Sequence, residues 1–194
     1  MFEGRVKTVS GANKWKLDWY MGRTALLIID MLNDFILKGA PLEVPSAREI
    51  ISNIRIEIEK ARDKDIPVIY ICDSHEEGDP EFNRMGWPTH AVAGSRGAQV
   101  IEELKPLPRD KVITKKSYSG FFETSLEEVL KEDEISELMV TGCVTNICVL
   151  YTVADAVQRR YQVKVLKDCV AGLNPHDHEF GLRQMKEVLG VEIV

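Results

Sequence analysis

The sequence contains no apolar run long enough to cross a membrane and no excess of positive charge. A membrane-spanning helix needs about 20 consecutive apolar residues, and no segment reaches that length. The first 23 residues also lack the apolar core of a secretory signal peptide. Lysine and arginine number 25 against 31 aspartates and glutamates, a net charge of −6 at pH 7. This balance argues against nucleic acid or a membrane surface as the main partner, and we predict a cytoplasmic protein.

Cysteine is also scarce. The four cysteines (Cys72, Cys143, Cys148 and Cys169) lie in or beside apolar, strand-like segments rather than in a paired framework, which is typical of a reducing compartment. At 194 residues, 44% of them hydrophobic, the chain is long enough for one domain with a buried core. Residues 1–23 are polar with scattered aromatic side chains. We therefore predict an N-terminal arm over 1–23 and a single domain over 24–194.

Short apolar segments alternate with amphipathic segments along the whole domain. A continuous apolar run that leads into polar residues is typical of a strand buried on both faces. Alternation of such strands with helices predicts a three-layer α/β/α, Rossmann-like fold around a mostly parallel, six-stranded sheet. The six predicted strands are 24–30, 66–72, 111–114, 137–142, 162–167 and 191–194.

Local signals indicate helices between these strands. Ser46–Glu49 and Thr124–Glu127 match the capping-box pattern, in which a hydroxyl and a carboxylate bind backbone N–H groups at the start of a helix. Asn174-Pro175 is a favourable N-cap and first-turn pair for the last helix. We also predict a helix over 95–104, after a long loop that contains glycine and proline.

The segment around Cys148 has features of a nucleophile site. The strand ending at Gly142 is followed by a tight turn and a helical segment, and Cys148 lies in the first turn of that helix. A helix N-terminus carries partial positive charge and unpaired N–H groups, which favour a thiolate and can bind an oxyanion. The ordinary alternative is a buried cysteine that packs as a small apolar side chain. Cys148 alone does not decide between the two.

Polar groups at several strand ends favour the nucleophile. In parallel sheets, ligands bind outside the carboxyl ends of the strands, and Asp30, Asp73, Lys115 and Cys148 all follow strands directly. A cysteine nucleophile needs a group that accepts its proton, and His75, Asp30 and Lys115 are candidates. Asp30 is alternatively a cap or salt-bridge acid, and Lys115 a solvated lysine at a strand end. Spacing alone leaves these alternatives open.

A second cluster has the composition of a metal site. Asp73 and His75 lie on one side of an extended segment, because residues two apart share a face, and His90 follows a loop long enough to fold back. An Asp, His, His set with open positions suits Zn²⁺, Mn²⁺ or Fe²⁺. His176 and His178 are also close together, but at a predicted helix start, where we expect a surface role.

Five stretches resemble, in order, the motifs of the isochorismatase-like cysteine hydrolases, and within them most closely those of the nicotinamidases (pyrazinamidases). They cover nearly the whole domain apart from the N-terminal arm, and the combination is highly specific to the superfamily. DSH followed by WPTHAVAGS indicates the metal-bearing nicotinamidase branch. The stretches are LLIIDMLNDF (26–35), DSHEEGDPEF (73–82), WPTHAVAGSRG (87–97), KKSYSGFFETSL (115–126) and GCVTNICVLYTVADA (142–156).

The resemblance implies roles for individual residues. It implies a catalytic triad of Asp30, Lys115 and Cys148. It also implies a cis peptide bond between Cys143 and Val144, which turns the Val144 N–H toward the Cys148 N–H to form an oxyanion hole. A divalent metal is implied, with zinc favoured over manganese or iron. Its ligands would be Asp73, His75 and His90, with Glu81 as a further ligand in a loop of variable length, while Phe35, Trp87 and Tyr118 would pack around a pyridine ring.

The predicted function is hydrolysis of nicotinamide to nicotinate and ammonia through a thioester on Cys148, in a homo-oligomer. One alternative is a related cysteine hydrolase that acts on another small amide, a carbamoyl compound or a vinyl ether such as isochorismate. The other is a catalytically silent scaffold on the same fold. The complete metal trio argues against the first alternative. Retention of Asp30, Lys115 and Cys148 together argues against the second.

Overall fold

The computed structural model describes residues 22–194, which fold around a central sheet. The strands are β1 (Arg23–Ile29), β2 (Val68–Asp73), β3 (Lys111–Lys115), β4 (Ile135–Cys143), β5 (Gln162–Ala171) and β6 (Glu192–Ile193). Across the sheet they run in the order β3-β2-β1-β4-β5-β6. Every neighbouring pair is parallel. The prediction of a mostly parallel six-stranded sheet is confirmed for the described residues.

Helices cover both faces of the sheet. They are α1 (Asn33–Ile36), α2 (Ile51–Asp63), α3 (Pro80–Met85), α4 (Leu126–Glu132), α5 (Leu150–Gln158) and α6 (Pro175–Arg183). Short 3₁₀ turns occur at Pro45–Arg48 and Glu102–Leu104, and π turns at Thr145–Val149 and Gln184–Val188. Alternate residues of β1 point to opposite faces. Leu27 accordingly packs in the core beneath α4, α5 and α6, and Leu26 in the core beneath α2.

The central strands explain why the sequence shows continuous apolar runs. β1 is fully buried from Ala25 to Ile29, and β2 is buried throughout. Ile29 is in register with Ile71 of β2 and with Gly142 of β4, so the three strands end within two residues of one another at the same edge of the sheet. The polar residues that follow these strands therefore meet at one edge of the sheet.

The predicted helix over 95–104 is wrong. This stretch forms turns, with a single 3₁₀ turn near its end. The chain runs instead beside the segment that follows β1, where the Asn33 N–H donates to the Gln99 carbonyl at 2.9 Å and the Ile101 N–H donates to the Met31 carbonyl at 3.0 Å. These long-range hydrogen bonds satisfy backbone groups that a helix would otherwise pair internally.

The first predicted capping box does not form. Ser46 lies in a 3₁₀ turn, and its hydroxyl donates to the carbonyl of Gly172 at 2.7 Å. α2 begins only at Ile51 and has no side-chain cap. A hydrogen bond to the chain after β5 thus replaces the local cap. α2 nevertheless buries one apolar face, at Ile54, Ile58 and Ala61.

The second predicted capping box does not form either, although a helix does begin there. The N-cap of α4 is Ser125, which has no side-chain cap, and the Thr124 hydroxyl accepts a hydrogen bond from the Leu126 N–H at 3.2 Å in the turn before the helix. The carboxylate of Glu127 pairs instead with basic side chains. Asn174 caps α6 as predicted, since its side chain accepts a hydrogen bond from the Asp177 N–H at 2.9 Å.

Gly142 marks the closest approach of β4 to β1. Its φ is +110°, a conformation that glycine adopts without steric cost. A Cβ placed there would lie 2.0 Å from the carbonyl oxygen of Ile29. The approach brings the next residue, Cys143, close to the end of β1, and its thiol donates to the carbonyl oxygen of Asp30 at 3.2 Å.

The N-terminal arm predicted for residues 1–23 lies outside the described residues, apart from its last two positions. Arg23, predicted to belong to the arm, opens β1. Between Gly22 and the C-terminus, no helix is both long and apolar enough to cross a membrane. All four cysteines are buried and free, in agreement with the absence of a paired framework.

Candidate active site

Four adjacent strands bring reactive side chains to one edge of the sheet. Asp30 follows β1, Asp73 ends β2, Lys115 ends β3, and Cys148 lies in the π turn after β4. These strands are neighbours in the sheet, so parallel pairing gathers residues that are far apart in sequence. All four residues are buried, with 1 to 7% of their surface exposed.

A cis peptide bond and a π turn shape the segment that carries Cys148. The bond between Cys143 and Val144 is cis, as the resemblance implied. The Val144 carbonyl accepts hydrogen bonds from the N–H groups of Ile147 and Val149, at 2.9 and 3.2 Å. A helical turn therefore closes directly after the strand. Cys148 lies within that first turn. The backbone N–H groups at the start of a helix have no carbonyl of a preceding turn to bind.

Lys115 is the centre of the polar cluster. Its Nζ lies 2.8 Å from Asp30 Oδ2, donates a hydrogen bond to Asp73 Oδ1, and lies 3.5 Å from Cys148 Sγ. The other Asp30 oxygen, Oδ1, accepts a hydrogen bond from the Asp73 N–H at 2.8 Å. Apart from its ion pair, Asp30 Oδ2 has no hydrogen-bond partner among the described residues. The structure thus brings together the three residues expected to form the triad.

Burial controls the protonation of this cluster. Burial, and then the neighbouring charge of Asp73, raises the pKa of Asp30 to about 6. Burial also raises the pKa of the Cys148 thiol well above its usual value. Burial alone would lower the pKa of Lys115, but the charges of Asp30 and Asp73 outweigh it and raise that pKa. At neutral pH the arrangement is therefore a neutral thiol beside an ionised carboxylate of raised basicity, which suits proton transfer from Cys148 to Asp30.

The predicted metal ligands also converge. One ligand atom from each of Asp73, His75 and His90 lies within 4.8 Å of the others, and all three residues are buried. Nδ1 of His75 lies 3.0 Å from Asp79 Oδ2, and Nδ1 of His90 lies 2.8 Å from the carbonyl oxygen of Pro88. Both acceptors require a proton on Nδ1, which leaves the Nε2 lone pair free in each neutral ring. Two imidazoles held in this way, with one carboxylate, could hold a divalent metal ion.

The charges around this trio also fit a cation. Burial alone would lower the pKa of His75, but hydrogen bonds to Asp73 and Asp79 outweigh it and raise that pKa, so positive charge is favoured at this position. Burial lowers the pKa of His90 and so favours its neutral, metal-binding form. With Asp30 and Asp73 ionised, Lys115 neutralises only one of the two carboxylates.

Glu81, the further ligand implied by the resemblance, lies beside the trio. It is buried in α3, and its ligand atom lies within 4.8 Å of those of His75 and Asp79. Asp79, which sequence analysis did not single out, orients the ring of His75 and also accepts a hydrogen bond from the Glu81 N–H at 2.9 Å. Asp79 is thus a supporting residue that holds two members of the cluster.

One pocket joins the two clusters. It contains about 560 Å³ of empty space, which includes space open to solvent. Cys148 and the metal trio both line it, together with the three expected aromatic residues, Phe35, Trp87 and Tyr118. The ring centroids of Phe35 and Trp87 lie 5.6 and 6.0 Å from that of His90. A flat ring bound here would contact apolar faces while its substituent reached the cysteine.

His178 contacts the π turn that carries Cys148, and the sequence analysis did not predict this contact. The ring was expected at the surface, but it is partly buried, and its Nδ1 lies 2.8 Å from the Thr145 hydroxyl oxygen in the π turn. His176, in contrast, has a side chain that is 89% exposed, as expected. Thr145 and His178 are 33 residues apart in sequence, and no local pattern connects them.

Tyr118 has a similar support. The adjacent residue, Ser119, is buried, and its hydroxyl donates to Asp155 Oδ2 of α5 at 2.5 Å. The next N–H, of Gly120, donates to the hydroxyl oxygen of Thr152 on the same helix at 2.9 Å. α5 continues directly from the turn that carries Cys148. The same helix therefore holds both that turn and the loop that carries Tyr118.

An all-parallel α/β domain with a buried cysteine, an aspartate and a lysine at neighbouring strand ends has the architecture of a cysteine hydrolase. The protein-family model for the Isochorismatase domain matches residues 24–193 of this chain. The chain belongs to the isochorismatase family, whose hydrolases include enzymes that act on amides.

Solved structures of this fold include several enzymes. Nicotinamidase PncA from Bacillus subtilis is 30% identical, with 89% of this chain and 99% of that chain covered and a TM-score of 0.83. Pyrazinamidase of Pyrococcus horikoshii, solved in complex with zinc, is 32% identical, with coverage of 89% and 98% and a TM-score of 0.82. N-carbamoylsarcosine amidase from Thermoplasma acidophilum is 34% identical, with coverage of 88% and 95% and a TM-score of 0.79.

Curated relatives are similarly varied. A probable inactive nicotinamidase from Arabidopsis thaliana is 32% identical, with 91% of this chain and 92% of the relative covered. The ureidoacrylate amidohydrolase RutB from Cronobacter sakazakii is 29% identical, with coverage of 79% and 76%. The family is therefore established, while similarity alone does not distinguish among these substrates.

Proposed function

We propose that this protein is a metal-containing cysteine amidohydrolase that converts nicotinamide and water into nicotinate and ammonia. The observation that carries the proposal is the common pocket: the metal trio and Cys148 line the same cavity, together with the aromatic side chains of Phe35, Trp87 and Tyr118. A pyridine ring that carries a carboxamide has one group for the metal trio and one for Cys148. One end is a ring nitrogen that can bind a metal, and the other is a carbonyl carbon that a thiolate can attack.

In the proposed reaction, Asp30 accepts the thiol proton of Cys148, and the thiolate attacks the carboxamide carbon. Lys115 stabilises the thiolate that forms as the proton moves to Asp30. The backbone N–H groups of Val144 and Cys148 hold the oxyanion. Asp30 then donates its proton to the departing ammonia, which leaves a thioester. A water molecule deprotonated by Asp30 attacks the thioester, releases nicotinate and restores the thiol.

Asp73, His75 and His90 would hold the metal, with Glu81 as a further ligand. We propose zinc, because imidazole and carboxylate ligands suit it and because the pyrazinamidase of Pyrococcus horikoshii was solved with zinc. When bound, the metal would supply a Lewis acid for the pyridine nitrogen. Phe35, Trp87 and Tyr118 would orient the ring by contact with its faces and edges.

A second candidate is a hydrolase of carbamoyl or ureido compounds. Similarity to N-carbamoylsarcosine amidase and to ureidoacrylate amidohydrolase favours it. The same triad would perform the same chemistry on such substrates, and isochorismate is a further test substrate from this family. A silent scaffold, suggested by the inactive relative from Arabidopsis thaliana, fits less well. Lys115 contacts both Asp30 and Cys148 here, and a scaffold has no need of that arrangement.

The test measures ammonia release from nicotinamide by the purified protein, with and without a strong chelator. We expect rapid release that falls on chelation, and a loss of at least about 1,000-fold in Cys148→Ala. Cys169→Ala removes another buried thiol, on β5, and should leave turnover unchanged. Substantial activity in Cys148→Ala would refute the nucleophile. No release from a metal-loaded protein would refute nicotinamide as the substrate, and N-carbamoylsarcosine, ureidoacrylate and isochorismate would be assayed next.

We further propose that the protein forms a homo-oligomer. The proposal rests on the resemblance to the nicotinamidases and on the aromatic side chains among residues 1–23. Light scattering coupled to size-exclusion chromatography would give the mass in solution. A monomer at micromolar concentration would contradict the proposal, and removal of the N-terminal residues would show whether they contribute to assembly.

A further inference from the structure

Asp34 connects the segment after the catalytic aspartate to the loop that carries a metal ligand. It lies in α1, just beyond Asp30, and its Oδ2 accepts a hydrogen bond from the Ala91 N–H at 2.8 Å. Ala91 directly follows His90, one of the three residues of the metal trio. The contact spans 57 residues of sequence.

Ala91 is also hydrogen-bonded to the other histidine. Its carbonyl oxygen accepts from the His75 N–H at 2.9 Å, and the His75 carbonyl accepts from the Ala93 N–H at 2.8 Å. Ala91 is fully buried and has a φ of +44°, a conformation that residues with a Cβ rarely adopt. One residue in an unfavourable conformation therefore joins both histidines, and Asp34 is the side chain that holds it.

The carboxylate of Asp34 is itself confined. A Cβ on Gly97 would lie 2.0 Å from Asp34 Oδ2, so the backbone at Gly97 packs directly against the carboxylate. The Asp34 N–H also donates to the Gly97 carbonyl at 3.1 Å. Gly97 thus encloses the carboxylate from the side and pairs with its backbone, and the carboxylate has little room to move away from Ala91.

We propose that Asp34 is a positioning residue for the metal site: it fixes Ala91 and thereby sets the two histidines at the spacing that a metal ion requires. Asp34 does not reach the metal or the substrate. The inference rests on the metal site of the proposed function and adds to it the residue that pre-forms that site. Outer partners of this kind commonly change metal affinity by about 10- to 100-fold.

The experiment measures zinc affinity directly, without substrate. The full-length protein is stripped with a chelator and titrated with Zn²⁺ in competition with a chromophoric chelator at neutral pH. We expect Asp34→Ala to weaken zinc binding by about 10- to 100-fold. Asp34→Asn keeps an oxygen that can accept from the Ala91 N–H, and its affinity should stay within about threefold of wild type.

Gly97→Ala tests the same contact without removing the carboxylate. The added methyl group must displace Asp34 from Ala91, so we expect weaker zinc binding in this variant as well. The matched control is Asp110→Ala. Asp110 also accepts a backbone hydrogen bond, from the Leu107 N–H at 2.8 Å, but it precedes β3 at the opposite end of the sheet. Its loss should lower thermal stability and leave zinc affinity unchanged.

The outcomes separate the two proposals. If wild type binds no zinc, the metal site of the proposed function is wrong. Wild-type affinity in both Asp34→Ala and Gly97→Ala would overturn the positioning role and leave the proposed function standing. Equal losses in Asp34→Ala and Asp110→Ala would also overturn it, because they would indicate general destabilisation. Where Asp34→Ala fails to fold, Gly97→Ala decides the question: wild-type zinc affinity in that variant would overturn the positioning role.

Discussion

A buried cluster of charge and a partly buried ion pair lie at opposite ends of the same sheet and differ in their charge balance. At the end where β3 begins, Arg62 pairs with Asp110 at 2.5 Å, one cation for one carboxylate. At the other end, Lys115 faces both Asp30 and Asp73. Each end also has one aspartate that accepts a backbone N–H, Asp110 from Leu107 and Asp30 from Asp73, so the two ends differ in charge balance rather than in hydrogen bonding.

The difference separates a stabilising pair from a reactive one. In a balanced pair each charge has a counter-charge, and its removal should affect only folding. In the unbalanced cluster one carboxylate, Asp30, is poorly stabilised in its ionised form, and Asp30 is the base that we propose for Cys148. The excess negative charge of the cluster also favours a cation at the neighbouring histidines. The site therefore keeps an excess of negative charge that the Arg62–Asp110 pair at the other end of the sheet does not have.

Replacement of one carboxylate at each end should give the largest contrast. Asp30→Asn keeps the shape of the side chain but cannot accept the thiol proton, so we expect kcat to fall by at least about 1,000-fold. In metal-free protein the change also leaves Lys115 balanced by Asp73 alone, so the free energy of unfolding at pH 7 should be unchanged or higher. Asp110→Asn should do the reverse, with normal turnover and lower stability. Activity assays and urea unfolding measure both quantities.

A clear loss of stability in metal-free Asp30→Asn would show that the ionised carboxylate stabilises the fold. The two ends of the sheet would then be electrostatically alike, and the comparison would fail.

Replacement of the cation at each end should give a smaller contrast in stability than replacement of the carboxylate. Lys115→Met leaves two buried carboxylates without a partner, and Arg62→Met leaves one. Removing one partner of a buried ion pair costs about 3–5 kcal/mol, so both variants should unfold at lower urea concentration. Only Lys115→Met should lose turnover, since Arg62 is remote from the pocket. Loss of turnover in a folded Arg62→Met protein would contradict this assignment.

Metal removal should sharpen the comparison further. A ligand that binds only the folded state at 100 times its Kd adds about 2.7 kcal/mol to stability. Chelation should therefore lower the melting temperature of wild type, and added zinc should restore it. His90→Ala removes one ring of the trio and is the matched control, because its melting temperature should no longer respond. A response to chelator that survives in His90→Ala would place the metal elsewhere.

The smallest expected effect concerns the two histidines near the start of α6. His178→Ala removes the contact with Thr145, and a single hydrogen bond contributes about 1 kcal/mol. We therefore expect kcat to fall several-fold with little change in KM, because the turn carrying Cys148 loses support. His176→Ala, at the exposed neighbouring position, should match wild type. Equal kinetics for the two variants would remove His178 from any role at the site.

Sequence alone predicted the features that depend on local pattern. Strands buried on both faces appear as continuous apolar runs, so β1 and β2 were recognisable, and the polar residues following them identified one edge of the sheet. The choice between Asp30 and His75 as the base was not decided by spacing. It required the resemblance, and the structure places Asp30 beside Lys115 and the thiol.

What the sequence did not predict depends on contacts between distant segments. The helix expected over 95–104 is replaced by hydrogen bonds to the segment after β1, and helix propensity carries no information about that competition. For the same reason Asp34 was not singled out, and His178 was expected at the surface. Their partners, Ala91 and Thr145, lie 57 and 33 residues away, and only the folded chain brings them together.

The tight crossing at Gly142 limits how this site can diversify during evolution. Any other amino acid there would place a Cβ 2.0 Å from the Ile29 carbonyl and would separate the strands that carry Cys143 and Asp30. The chain from Glu76 to Trp87 is largely exposed and contributes both a ligand candidate and an aromatic wall to the pocket. New substrate ranges should therefore arise by variation in this loop, while position 142 admits glycine alone.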